Sequence, residues 1–160
     1  MISFVQKFMS DDEFARYLKT TFHNTPTAHL MIDFGEKLNK RSYLLTELQE
    51  MKATQPTVEH IFPQQERFEF PNLGFIDIDD YKHMVQMIGN LTLLEKTLNS
   101  QCQNRTPDQK VSGGYYERSL FEDARRISAQ VKNSGMPYTR EEIQKRTKNL
   151  TEYCMQRWKV

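Results

Sequence analysis

Glu59 and His60 are adjacent in the run Thr57-Val58-Glu59-His60-Ile61-Phe62-Pro63, and Asn90 and Asn99 follow further along the chain. The first run is short, carries Val and Ile, and stops at a proline, so it predicts a strand over 57–62. Adjacent side chains on a strand point to opposite faces. An imidazole on one face can take a proton from a water while the neighbouring carboxylate serves a metal ion, provided the strand end twists or kinks, and Pro63 places a terminus there. A lone Glu-His pair carries little weight, because most such histidines are partly buried structural residues. Asn90 and Asn99 change that balance. Asn90 opens a second predicted strand through Leu94, and Asn99 falls in the short helix expected after it. A strand–loop–strand–helix unit can fold back so that His60, Asn90 and Asn99 converge, with one divalent ion between the histidine and residues of the helix.

The elements that must position these residues follow from periodicity and punctuation. Ser10-Asp11-Asp12-Glu13 is a capping-box signature, and Phe14, Tyr17, Leu18 and Phe22 follow at helical spacing. Pro26 restarts the chain. Leu30, Ile32, Phe34 and Leu38 predict a second helix that Gly35 weakens, and the apolar patch from Tyr43 to Leu48 predicts a short third one. Residues 64–80 read as a loop with an acidic cluster at Asp77, Asp79 and Asp80, the last of these capping a short helix through Met84 and Met87. The cluster lacks the glycine and terminal glutamate spacing of a calcium loop. Glu95 to Gln101 predicts the short helix, and residues 102–114, with Pro107, Gly113 and Gly114, a loop. Tyr115 to Lys132 reads as a helix stopped by Asn133-Ser134-Gly135. Thr139-Arg140-Glu141-Glu142 is a second capping box before a last helix through Ile143, Leu150, Cys154 and Trp158.

Composition bounds the function class. The chain has 160 residues, 38% hydrophobic and 27% charged, with a mean hydropathy of −0.74. That suits one polar domain with a modest core and excludes a sheet buried on both faces. The net charge is only +1, so nucleic-acid binding has to come from local clustering of lysine and arginine. No apolar run approaches the roughly 20 residues of a membrane span, and Lys7, Asp11, Asp12 and Glu13 interrupt any signal peptide. Cys102 and Cys154 make neither a disulfide framework nor a four-cysteine zinc site. A cytoplasmic, reducing setting is expected.

Val58-Glu59-His60-Ile61-Phe62-Pro63-Gln64 resembles the Asp/Glu-His-Ile-x-Pro segment of HNH nucleases. Gly89-Asn90-Leu91-Thr92-Leu93-Leu94, followed by Asn99, resembles their Asn-Leu-x-x-Leu and terminal Asn/His positions. More narrowly, the run is similar to the C-terminal nuclease domain of GmrSD-type, modification-dependent restriction enzymes, with Lys110, Tyr115 or Tyr116, Arg146, Leu150 and Trp158 in matching places. The resemblance extends from about Thr57 to the last helix. It implies an α+β, mainly helical fold with a ββα-metal (HNH) finger embedded between N-terminal and C-terminal helices. Residues 1–56 would be a helical segment of the same domain, and 57–160 the nuclease core with its C-terminal helices.

The implied activity is metal-dependent cleavage of double-stranded DNA, as the effector of a defence system against foreign or modified DNA. His60 would be the general base, and Glu59 and Asn99 the metal ligands. Asn90 would hold the histidine loop, and Lys110 would contact phosphate or transition-state charge. Lys96, Arg105 and Arg146 would contact nucleic acid, with a structural role inside a packed helix as the other reading of Arg146. Oxygen donors favour Mg²⁺, with Mn²⁺ also suitable. Asn99 in place of a terminal histidine makes zinc a weaker choice, and Glu59 in place of aspartate changes the reach to a metal, which leaves ligation through water open to it. There is no Cys-x-x-Cys brace, so the flanking helices must supply support. The family couples this domain to an N-terminal nucleotide-hydrolysing module, whose motif this sequence lacks, so that module is expected as a missing partner. The competing expectation is an inactive DNA-binding or protein-interaction module on the same scaffold. His23, His29 and His83 read as surface or packing residues, and Arg125, Arg126, Lys145, Arg146 and Lys148 as a basic helical face.

Overall fold

A computed structural model describes residues 10–20, 24–65 and 73–158. Three helices precede the first strand: α1 (Asp11–Thr20), α2 (Asn24–Asn39) and α3 (Leu45–Ala53). The Ser10 box is made as expected. The Ser10 hydroxyl accepts from Glu13 N at 3.3 Å while the Glu13 carboxylate accepts from Ser10 N at 2.8 Å. Helix α2 starts ahead of Pro26 and runs straight through Gly35. The reason for a glycine there is space: a Cβ would meet the Tyr43 hydroxyl at 2.6 Å. Phe22 and His23 lie outside the described residues, as does the stretch 66–72 of the expected loop. His29 and His83 are exposed.

Strand β1 (Thr57–His60) pairs antiparallel with β2 (Leu91–Leu94), in the register Thr57↔Leu94, Val58↔Leu93, Glu59↔Thr92 and His60↔Leu91. This is the only sheet among the described residues. Between the strands come α4 (Ile78–Val85) and a 3₁₀ turn (Ile88–Asn90). Asn90 therefore ends that turn rather than opening β2. Helix α4 is capped by Asp77, not Asp80, because the Asp77 carboxylate accepts from Asp80 N at 2.8 Å. Asp80 instead pairs with Arg140 at 2.7 Å, which keeps its carboxyl below the usual range.

After β2 come α5 (Lys96–Cys102), α6 (Pro107–Ser112), α7 (Glu122–Ser134) and α8 (Arg140–Arg157). Two expectations fail here. The stretch 102–114 is not all loop: Thr106 and Gln109 form a capping box, with Pro107 at the start of α6. Helix α7 begins at Glu122 rather than Tyr115, and ends as expected at Gly135. Thr139 stands at the N-cap of α8 but makes no side-chain cap bond.

The core joins both strands to the helices. Phe62, Tyr81, Met84, Ile88, Leu93, Leu94, Tyr116, Ile143 and Leu150 are fully buried, and Phe62 meets the rings of Phe75 and Tyr81 edge-on. Helix α8 lies against the 3₁₀ turn. Gly89 N donates to Thr147 Oγ1 at 3.1 Å, and a Cβ on Gly89 would meet the Ile143 carbonyl oxygen at 2.1 Å. Only glycine permits that approach. Among the described residues no helix is long and apolar enough to cross a membrane.

Candidate functional site

His60 closes β1, and the turn after it is clamped from three sides. Asn90 Oδ1 accepts from Phe62 N at 2.8 Å, and Asn90 Nδ2 donates to Phe62 O and Val85 O, both at 3.0 Å. The Asn90 carbonyl also accepts from Ile61 N at 2.8 Å. Asn90 is fully buried, both its N–H donors are spent and its oxygen is engaged by Phe62 N, so it holds the backbone from inside the core. The Tyr81 hydroxyl donates to Pro63 O from the second side.

Lys110 supplies the third. Its ammonium donates to His60 O at 2.5 Å and Ile61 O at 3.1 Å, and it pairs with Glu59 Oε1 at 2.6 Å. All three of its protons are engaged, and its side chain is 0% exposed. The expected phosphate contact by Lys110 is therefore corrected: from this position it orders the backbone under His60. Tyr116 also donates to Glu59 Oε1, at 3.3 Å, so of the two candidate tyrosines Tyr116 is the one beside the site. Its hydroxyl pKa is raised well above normal by burial and then by Glu59.

Glu59 is 5% exposed. Burial raises its carboxyl pKa, and the Lys110 ammonium pulls the other way without overcoming the burial. The carboxylate expected at a metal thus faces an ammonium group. His60 is half-buried, and desolvation, reinforced by Lys110, lowers its pKa to about 4. Its imidazole is neutral at pH 7, the form a base requires. Gln64 Nε2 lies 3.4 Å from His60 Nε2.

Asn99 projects from α5 onto β1, where its Nδ2 donates to Thr57 Oγ1 at 2.8 Å and Val58 O at 3.1 Å. Its amide nitrogen is thereby committed and its side-chain oxygen is the atom left for a ligand. Thr57 and Glu59 share a face of the strand by alternation, so Asn99 stands on the Glu59 side. Cys102, one turn further along α5, feels Glu59 as well, and its thiol is pushed up to about 12 chiefly by burial. Among the described residues no three His, Cys, Asp or Glu side chains gather as a metal cluster. The Asn99 amide oxygen and the Glu59 carboxylate, on the face of β1 opposite His60 by the same alternation, are a sparse donor set. It suits an ion that keeps several of its waters, as Mg²⁺ does, and not a closed tetrahedral zinc site.

The expected nucleic-acid residues divide. Lys96 is exposed and donates to Gln55 Oε1 at 3.2 Å, and Arg105 lies over the Tyr115 ring at 5.4 Å. For Arg146 the contacts favour the structural reading over nucleic acid. It donates to Leu91 O at 2.7 Å and Gly89 O at 3.1 Å and pairs with Asp123, tying α8 and α7 to β2. The expected basic face is neutralised as well: Arg125 and Arg126 meet Glu122, Lys145 meets Glu142, and Lys148 meets Glu152. Sequence reasoning missed Tyr81, which gives no signal beyond an aromatic in an apolar helical pattern. It also missed the depth of Lys110, which lies in a stretch that reads as polar loop.

No curated protein and no solved structure matches the chain. One family model does, over residues 8–153, which takes in all three helices before the sheet, the strands, and the helices after it as far as Tyr153 within α8. With that span matched, the chain belongs to the family of GmrSD restriction endonucleases, C-terminal domain.

Proposed function

We propose that this domain is an HNH-class endonuclease that hydrolyses phosphodiester bonds of double-stranded DNA, with His60 as general base. The observation that carries the reading is geometric: His60 ends β1 at a turn whose backbone is fixed by Asn90, Lys110 and Tyr81. A fixed neutral imidazole can accept the proton of an attacking water, and such bases contribute roughly 10²–10⁴-fold. Asn99, through its side-chain oxygen, and Glu59, on the same face of β1, would hold Mg²⁺ or Mn²⁺. Ligation by Glu59 has to displace the Lys110 ammonium or pass through water. A bound divalent ion supplies charge neutralisation at the scissile phosphate. Asn90 and Lys110 are positioning residues, and neither touches substrate in this reading. In a restriction setting the domain would act on foreign or modified DNA, under the control of a nucleotide-hydrolysing module.

The test is incubation of the purified chain with supercoiled plasmid and Mg²⁺ or Mn²⁺, beside His60→Ala. The expected result is nicked or linear product from the wild type and at least about a hundredfold less from the variant. Calorimetric titration of Mg²⁺ and Mn²⁺ into wild type and Asn99→Ala reads the metal site separately. Plasmid left equally intact by both proteins in every metal, with no metal binding, would reject cleavage in favour of an inactive module on the same scaffold.

A further inference from the structure

Arg105 and Arg118 both lie over the Tyr115 ring, with guanidinium carbons 5.4 and 5.6 Å from its centroid. They differ from the other arginines in their partners. Arg41, Arg125, Arg126, Arg140, Arg146 and Arg157 each meet a carboxylate. Arg105 and Arg118 meet none among the described residues: Arg105 donates to the Gln101 and Cys102 carbonyls, and Arg118 to the Gly114 carbonyl. Two guanidinium groups on one ring repel each other, and an anion lying across both relieves that repulsion. The planar fork of arginine matches phosphate oxygens.

The place of the pair says which anion. Arg105 follows Asn104, whose Nδ2 donates to Gln65 Oε1 at 3.0 Å, and Gln64 is the residue beside the His60 ring. Both arginines also act on the Cys102 thiol, on the helix that carries Asn99. These two arginines, without a carboxylate partner among the described residues, therefore lie near the proposed catalytic hairpin, while Arg125, Arg126, Lys132, Lys145, Arg146 and Lys148 of α7 and α8 each meet an acid.

We infer that Arg105 and Arg118, held by Tyr115, form a contact site for the phosphate backbone of duplex DNA flanking the bond that His60 attacks. The inference rests on the nuclease reading above and adds to it the path of the DNA. Its test uses the His60→Ala chain, which binds without cutting, and a fluorescein-labelled duplex followed by anisotropy from about 50 to 200 mM salt. Arg105→Ala/Arg118→Ala in that background is expected to weaken binding roughly tenfold or more at the low end, as loss of two charge-assisted bonds requires. It should also make the slope of log K against log[salt] shallower by about 1.8, the counterion release of two phosphate contacts. Tyr115→Phe keeps the slope, Tyr115→Leu weakens binding, and Arg126→Ala/Lys132→Ala, removing two acid-paired cations, leaves the slope near the parent value. Thermal melts establish that each variant is folded. An unchanged slope in the double variant, or no duplex binding by the His60→Ala chain, overturns the inference. Failure of the nuclease reading is seen separately, as plasmid left intact by the wild type.

Discussion

Lys110 commits every proton of its ammonium to Glu59, His60 and Ile61 while wholly out of water. Removing one partner of a buried ion pair typically costs 3–5 kcal/mol, because the other charge is left uncompensated. Lys110→Met should therefore destabilise the domain by about that much in urea unfolding, and adding Glu59→Gln should restore part of the loss. Equal stability of Lys110→Met and wild type would mean that the pair does not exist in solution. The residues of the site were unevenly legible. His60, Asn90 and Asn99 could be found because their order along the chain is itself the signal. Lys110 could be named but not placed, since its partner Glu59 is distant in sequence and a lysine among Thr, Pro, Asp and Gln looks like surface. Arg146 stayed open between nucleic acid and packing for the same reason: its carbonyl acceptors at Gly89 and Leu91 belong to a different part of the chain.

At the level of elements, the helices with strong caps and an apolar stripe were readable, while α6 was not. Pro107 and the following glycines look like loop punctuation, yet Thr106-Pro107-Asp108-Gln109 is also a helix start, and the capping box forms. The 3₁₀ turn before β2 was hidden because its geometry answers to α8, not to local propensity. Gly89 is the contact point. Gly89→Ala forces a Cβ to within 2.1 Å of the Ile143 carbonyl oxygen and 2.4 Å of Thr147 Oγ1, and the first of these is backbone that cannot rotate away. The expected outcome is a loss of about 3 kcal/mol or more, or failure to fold. Gly135→Ala, where no atom stands within 4 Å of the new Cβ, should cost only the strain of its positive φ, about 1 kcal/mol. Paired thermal melts decide this, and equal melting temperatures for the two variants would exclude a tight packing of α8 on the turn.

For the whole molecule, the net charge of +1 concealed a local imbalance: six arginines meet carboxylates, and Arg105 and Arg118 meet none among the described residues. Acid stability is likewise a global readout of one group. The His60 pKa falls from an ordinary 6.5 to about 4 on folding, so between those values the unfolded chain holds a proton that the folded one lacks. Stability from this group is complete above pH 6.5 and is lost as the pH falls toward 4, by up to about 3 kcal/mol, less for the part of the ring that solvent reaches. Glu59, raised by burial, acts with the opposite sign, its contribution declining as the pH rises above the ordinary carboxylate range. The difference between wild type and His60→Gln, measured by urea unfolding in EDTA at stepped pH, isolates the histidine. A difference that does not change between pH 7 and 4.5 would place His60 in open water.

The two strands do not meet through a tight turn. His60 pairs with Leu91 across the whole intervening stretch, and the carbonyl of Leu91 is fixed by Arg146, far later in the chain. Closure over such separations is slow, and although Asn90, Tyr81, Lys110 and Asn99 hold the turn after His60 and the first strand, the side of the sheet that Arg146 and Thr147 secure at Leu91 and Gly89 waits for α8. During synthesis, then, the ribosome releases the histidine long before it releases the helix that secures the neighbouring strand. The nuclease activity proposed above should therefore appear only once residues through α8 have cleared the exit tunnel and Arg146 has reached Leu91.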